Sequence, residues 1–415
     1  MGKYFSFHLA TICTILAITG CVPVPINTVP LHFRDDPPVV VESTPLEDGS
    51  YALPAFDCTG KRLAVYDSSS DSVKLLRSSD LSLLTEIRPK NRPAQLYFSP
   101  RDNFLIIHTL LKSSAYRAPN FMAWEFQRVE VWDLKNNQII LNTGCTGEPY
   151  VLNSHFSADE AKFSILCADG MRHRWQTTSW QPTDNLPRPP FWGELLAANE
   201  ADKNLYTKAR SLPDGRFIAL KFFPVRTGYS SNESYITRWN CTTNLAGEIP
   251  FGCRYGQFYG CCDDEELPFQ SLSADGNRIA VICKPGLGYS VRVWDYSSGK
   301  EVPLDDARIG FFSGPESQPH VEGVALSPDG RYLAVAVPNL TKALVVTILW
   351  EGIPLHRSDL RLYSLEKNRE IIAIPVEKLQ FNRIDITFSA DSSLLAVAGK
   401  RLRIYRLNDL VTKPD

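Results

Sequence analysis

One short phrase recurs seven times along this 415-residue chain: usually an apolar residue, then a serine or its equivalent, with an aspartate two positions on in five of the copies and often a glycine three positions on. The copies are Phe56-Asp57-Cys58-Thr59-Gly60, Phe98-Ser99-Pro100-Arg101-Asp102, Phe156-Ser157-Ala158-Asp159, Ser211-Leu212-Pro213-Asp214-Gly215, Leu272-Ser273-Ala274-Asp275-Gly276, Leu326-Ser327-Pro328-Asp329-Gly330 and Phe388-Ser389-Ala390-Asp391. Serine and aspartate bond to nearby backbone and glycine accepts positive φ, so each copy reads as a tight turn. An apolar run follows every turn: Leu63-Ala64-Val65, Leu105-Ile106-Ile107, Phe163-Ser164-Ile165-Leu166, Ile218-Ala219-Leu220, Ile279-Ala280-Val281, Leu333-Ala334-Val335 and Leu395-Ala396-Val397. These are strands bounded by turn chemistry.

Each unit then carries an alternating strand that ends in an aromatic, as in Val129-Glu130-Val131-Trp132-Asp133, Arg172-His173-Arg174-Trp175, Tyr235-Ile236-Thr237-Arg238-Trp239, Val291-Arg292-Val293-Trp294-Asp295, Leu360-Arg361-Leu362-Tyr363 and Leu402-Arg403-Ile404-Tyr405. Only Val73-Lys74-Leu75-Leu76 lacks the aromatic. A small twisted sheet of this size cannot hide both faces alone, so neighbouring sheets must pack face to face. Closing the series around an axis leaves no exposed end sheet. The expected fold is therefore all-β: a β-propeller of about seven four-stranded blades.

The phrases resemble WD40 and WD40-like repeats, with two literal Trp-Asp pairs at Trp132-Asp133 and Trp294-Asp295, and the resemblance covers about Ser50 to Leu407. The units exceed the roughly 40 to 45 residues usual for that family, and its Gly-His dipeptide is absent. The pattern is closer to the looser repeats of bacterial envelope propellers. The last unit runs out near Asn408 with no room for an outer strand, so Val39-Val40-Val41-Glu42 is expected to supply it and close the ring from the N-terminal side. Extra residues fall in expected loops at Lys112 to Phe126, Gln181 to Arg210, Phe223 to Ser234, Arg254 to Leu267 and Pro338 to Arg357.

The chain begins with Lys3, an apolar stretch from about Leu9 to Ile18, and a small-residue exit, Thr19-Gly20, before Cys21. That is the layout of a secretory signal, and the stretch is too short to span a bilayer. Ile18-Thr19-Gly20-Cys21 resembles the lipobox of bacterial lipoproteins. The resemblance implies cleavage before Cys21, a diacylglyceryl group on its thiol and acylation of the new amine, which together give stable anchoring. Met1-Gly2-Lys3-Tyr4-Phe5-Ser6 also fits an N-myristoylation pattern, but a myristoylated protein has no use for the apolar run and exit that follow. Residues 1–20 are thus expected to be a signal peptide, 21–47 a proline-rich lipid-anchored tether that includes the closing strand, and 48–415 the propeller. A residue other than Asp after the acylated cysteine, here Val22, implies by the same resemblance the outer membrane, facing the periplasm, if the source is Gram-negative.

Lys and Arg total 44 against 46 Asp and Glu, so the chain lacks the positive field that draws nucleic acid. Ten cysteines suit an oxidising compartment. Cys13 and Cys21 lie in the leader; the rest are Cys58, Cys145, Cys167, Cys241, Cys253, Cys261, Cys262 and Cys283. Complete pairing of that set has about 105 solutions. Cys241 and Cys253 flank the turn-like stretch Thr242 to Gly247 and are a candidate disulfide across a hairpin; others can equally be reduced core residues.

The histidines beyond the leader, His32, His108, His155, His173, His320 and His356, make no zinc-like spacing, and no nucleophile elbow, phosphate loop or calcium loop is present. No metal, cofactor or catalytic constellation is expected. Candidate channel-lining residues on the innermost strands are His155, Lys208, Glu322, Arg383 and Asp385. The strand Lys400-Arg401-Leu402-Arg403-Ile404-Tyr405-Arg406 reads as one solvated charged face or a site for an anion. Tyr255, Phe258, Tyr259, Phe311, Phe312 and Trp192 are candidate loop anchors for a partner. The expected role is a membrane-tethered scaffold that binds another envelope protein or a glycan. An envelope hydrolase or lyase at the channel mouth is the alternative, and requires the channel-lining residues to converge.

Overall fold

The computed structural model describes residues 38–46, 49–109, 128–145, 151–167, 171–186, 207–211, 217–223, 232–239, 246–255, 270–283, 290–304, 321–338, 357–377 and 384–411. Among them the fold is almost entirely β, in seven four-stranded antiparallel sheets. The first is β2 (Tyr51–Phe56), β3 (Arg62–Asp67), β4 (Ser72–Arg77) and β5 (Leu83–Ile87), in that order. The second is β6 (Pro93–Phe98), β7 (Phe104–Thr109), β8 (Arg128–Asp133) and β9 (Gln138–Thr143). The third is β10 (Val151–Phe156), β11 (Lys162–Cys167), β12 (Arg172–Gln176) and β13 (Pro182–Leu186). The fourth is β14 (Thr207–Ser211), β15 (Phe217–Phe223), β16 (Asn232–Trp239) and β17 (Ala246–Tyr255). The fifth is β18 (Gln270–Leu272), β19 (Arg278–Cys283), β20 (Ser290–Asp295) and β21 (Lys300–Val302). The sixth is β22 (Gly323–Leu326), β23 (Tyr332–Pro338), β24 (Arg357–Ser364) and β25 (Arg369–Glu377).

The last sheet contains β26 (Asp385–Phe388), β27 (Leu394–Ala398), β28 (Leu402–Arg406) and, outermost, β1 (Val39–Glu42). The expected donor strand therefore does complete that sheet, with Val39 opposite Tyr405, Val41 opposite Ile404 and Glu42 opposite Arg403. Arg403 Nε reaches Glu42 Oε1 at 2.7 Å and Arg401 Nη1 reaches it at 3.4 Å. Arg403 also donates to the Pro375 carbonyl, and Arg401 pairs with Glu377 at 3.4 Å. The basic strand is not a bare solvated face, because two of its arginines hold the donated strand. A short helix, α1 (Leu407–Val411), follows β28 and buries Leu407 and Leu410.

The core lies between sheets rather than within them. Leu63 and Val65 of β3 pack with Ala396, Ala398, Leu402 and Ile404 of the last sheet, whereas Ala64 and Tyr66 pack with Leu96, Leu105 and Ile107 of the second. On β23, Leu333, Val335 and Val337 face the fifth sheet while Ala334 and Ala336 face the last. Side chains alternate along a strand, so a second strand covered on both faces is apolar along most of its length. This is why the sequence shows unbroken runs there. Bulky residues on one face of β23 and alanines on the other let successive sheets approach closely, and Gly323 of β22 does the same where it meets the Ile384 carbonyl.

Consecutive sheets touch in turn. First strand β2 contacts β6 and β26; β22 contacts β18 and β26; β10 contacts β8 and β14; and β17 contacts β19. All connections from first to second strands and from third to fourth are short, none longer than that at residues 240–245. The long ones, at 110–127, 187–206, 256–269, 303–322 and 339–356, all join a second strand to a third or one sheet to the next. Antiparallel order puts these two classes at opposite ends of the sheets, here termed the turn end and the far end. Parts of the segments expected as loops are strand: β13 and the start of β14 fall within 181–210.

Candidate functional site

The repeated phrase builds the same turn wherever its side chains are described. Ser157, Ser273, Ser327 and Ser389 each donate through Oγ to the aspartate two residues on at 2.6 Å. The same oxygen accepts the backbone N–H five residues on, at 2.8–2.9 Å. Asp57 takes the serine's place in the first copy, accepting from Lys61 N and Arg62 N and pairing with Arg62 Nε at 2.8 Å. Burial works against ionisation of Asp275, Asp329 and Asp391, but the serine hydroxyl and backbone N–H bonds outweigh it and hold their carboxyls below the usual range.

The residue three after the serine takes a left-handed conformation in every described copy: Gly60, Gly276 and Gly330 at φ 68°, 68° and 71°, but Asp102, Glu160 and Ser392 at 60°, 60° and 59°. A side chain there is strained, and each of the three is used to reach the preceding sheet. Asp102 Oδ1 accepts the Cys58 N–H at 2.8 Å; Glu160 accepts from Arg101 N at 3.1 Å and from Asn103 Nδ2; Ser392 Oγ accepts from Asp329 N at 3.1 Å. At the Gly330 copy the preceding sheet reaches across, as Arg62 Nη2 also does to the Asp102 carbonyl at 2.9 Å. Arg278 Nη1 donates to the Gly330 carbonyl, and Ala274 N donates to Pro328 O at 2.9 Å. The phrase is thus a turn and also a latch between successive sheets.

Of the expected channel-lining residues, His155, Glu322 and Asp385 lie among the described residues. His155 of β10 is partly buried, and desolvation followed by the charges of Arg172 and Arg174 lowers its pKa to about 4. Glu322 is buried and accepts from Ser358 Oγ at 2.5 Å. Asp385 Oδ2 accepts from Leu53 N at 2.8 Å. Lys208 lies on β14 with only its backbone described, and Arg383 lies outside the described residues.

A serine–histidine contact that sequence reasoning missed joins the second and third sheets. His108 Nε2 lies 2.6 Å from Ser154 Oγ, and Tyr97 OH bonds to Ser154 Oγ and to its carbonyl. The distance suits a nucleophile and base. The setting does not: His108 is 0% exposed and burial pushes its pKa down to about 3. Burial likewise raises the Tyr97 phenol. The cluster fastens two sheets.

Cys145 and Cys167 form a disulfide with Cα atoms 5.7 Å apart, linking the segment after β9 to the end of β11. Cys58 is a free, exposed thiol whose Sγ donates to Asp102 Oδ2 at 2.7 Å. That bond, with desolvation, raises its pKa to about 11, the reverse of what a reactive cysteine needs. Cys241 and the anchors Phe258, Tyr259, Phe311, Phe312 and Trp192 lie outside the described residues; Cys253 and Tyr255 lie on β17, where only the backbone is described. Cys21 and the leader also lie outside them. Among the described residues no helix is long and apolar enough to cross a membrane, and no group of His, Cys, Asp and Glu is placed to hold a metal. No protein-family model matches the chain, and no curated protein matches it.

Proposed function

We propose that the chain is a secreted lipoprotein, anchored through Cys21, whose seven sheets are the blades of a closed WD40-like β-propeller, and that it serves as a protein or glycan interaction scaffold in the cell envelope. The observation that carries the closed ring is the join between chain ends: the last sheet packs against the first and takes its outer strand from residues before it. The remaining sheet contacts run in sequence order around the same circuit.

The scaffold reading draws on how the polar groups are used. Asp102, His108, Glu322 and Asp385 all bond across or within sheets, so these polar residues hold the body together. The strand ends that flank the long connections lie at one end of the sheets, the arrangement in which loops on a scaffold carry recognition. The near balance of charge supports partners other than nucleic acid.

The anchoring half of this reading is tested by fractionation and intact mass of the native protein beside a Cys21→Ala variant. A membrane-bound wild type that lacks residues 1–20 and carries acyl mass, with a variant that is released or unprocessed, is the expected result. A soluble protein retaining Gly2 overturns it. Crosslinking in intact envelopes then tests the scaffold half, which fails if no protein or glycan adduct forms.

A further inference from the structure

One pair of positions breaks the rule by which the sheets pack. In five sheets, two alternate residues of the third strand face the next sheet and are apolar. They are Val73 and Leu75 in the first sheet, Val129 and Val131 in the second, and Leu402 and Ile404 in the last, all buried. The fifth and sixth sheets have valines and leucines there. At the same two places on β12 the third sheet has Arg172 and Arg174, both only partly buried.

The change runs across the sheet. Register puts His155 of β10, Ser164 of β11, Arg174 of β12 and Thr183 of β13 in one row. The corresponding row of the first sheet holds Ala55, Ala64 and Leu75. Phe163, Ile165 and Trp175 pack with Ile106 and Val131 of the second sheet. Side chains alternate, so the polar row faces the other way, toward the fourth sheet, whose β14 contacts β10. The charges of Arg172 and Arg174 both act on the His155 ring, so the three groups share one space. Among the described residues Arg174 Nε is enclosed yet meets no acceptor. The sequence of β14, Thr207 to Ser211, adds two cationic residues and no carboxylate. A guanidinium withdrawn from water needs an opposite charge, and its planar fork matches the paired oxygens of a carboxylate or phosphate.

We propose that the junction between the third and fourth sheets binds an oxyanion, the phosphoryl or carboxylate group of a ligand, through Arg174, Arg172 and His155. The site needs neither the lipid anchor nor the scaffold role proposed above. It rests only on the contact between two neighbouring sheets and on the one row in which arginines replace apolar residues.

The test titrates inorganic phosphate, glucose 1-phosphate and glucuronate into the full-length protein at constant ionic strength, followed by calorimetry and by the thermal unfolding midpoint. The wild type is expected to bind at least one of them saturably and to unfold at a higher temperature in its presence. Arg174→Gln, which keeps a polar side chain without the charge, is expected to bind it roughly tenfold more weakly, or worse. Arg174→Leu, which installs the residue the first sheet has in that row, is expected to lose binding and, without anion, to unfold no earlier than the wild type. Preference for the phosphates assigns a phosphoryl ligand and preference for glucuronate an acidic sugar, and either supports the site. No saturable binding by the wild type, or equal affinity in Arg174→Gln, overturns it. So does an Arg174→Leu protein that melts well below a wild type whose own midpoint no anion raises, because the arginine then serves the fold alone.

Discussion

The backbone N–H of Leu53 donates to Asp385 Oδ2 at 2.8 Å, tying the first strand of the first sheet to the first strand of the last. Leu53 sits at φ 54° within a bulge of β2, a conformation that costs a leucine about 1–2 kcal/mol. The neighbouring carboxylate offsets that strain. Asp385→Ala should lower unfolding free energy by about 1.5–3 kcal/mol, the worth of a hydrogen bond to a charged group, as read by urea denaturation. A change under about 0.5 kcal/mol, the range of ordinary surface substitutions, would show that the bond is incidental.

Glu160 separates the two roles of the repeated turn. If its place were only a left-handed turn position, Glu160→Gly would relieve strain and stabilise the protein. Because the carboxylate also accepts from Arg101 N and Asn103 Nδ2, the expected outcome is a loss of about 1–3 kcal/mol, measured by thermal unfolding.

Gly323 and Gly299 make a paired test of packing against conformation. A Cβ at Gly323 would overlap the Ile384 carbonyl oxygen, whereas one at Gly299 meets nothing, although φ there is +66°. Gly323→Ala should cost about 3 kcal/mol or more, since neither strand has room to move, and Gly299→Ala about 1–2 kcal/mol from backbone strain alone. Matched unfolding curves would distinguish them.

His108 and His155 make the fold sensitive to acid. Their folded pKa values, about 3 and about 4, lie below the unfolded value near 6.5. As pH falls from about 6.5 the unfolded chain takes up these protons first, so stability drops until the folded values are passed. Each histidine contributes a slope of up to about 1.4 kcal/mol per pH unit in that window. A His155→Asn variant should show a shallower loss between pH 6 and pH 4 than the wild type, in the order of that slope; parallel curves would remove His155 from the account.

The disulfide between Cys145 and Cys167 closes a loop of 22 residues. On chain entropy its loss should cost about 3 kcal/mol. The Cys145→Ser, Cys167→Ser double variant is the cleaner probe, because reductant also acts on any other disulfide.

Strand order was readable because Leu63-Ala64-Val65 and its counterparts are buried on both faces, and because the last unit visibly lacked an outer strand that Val39-Val40-Val41-Glu42 could supply. Variation inside the turn phrase was harder to interpret. Asp102, Glu160 and Ser392 look like a decayed glycine until the preceding sheet lies beside them. Cys145 and Cys167 are alternatives among many until the second and third sheets are known to be adjacent. Arg401 and Arg403 alternate as a solvated face would, and only the donated β1 reveals that they face Glu42. Trp180, in the turn between β12 and β13, gave no signal at all, yet it packs edge-on to Phe104 across the same junction and to Phe156 of its own sheet. Local chemistry is written in neighbouring residues, whereas contacts between units depend on which sheets meet.

Closure of the ring is the claim on which the rest depends, and projection images of the purified particle along its axis test it most directly. Seven radial densities around a complete circle, with no gap between the first and last sheets, are predicted. An open arc, or a ring of any other number, would contradict the account.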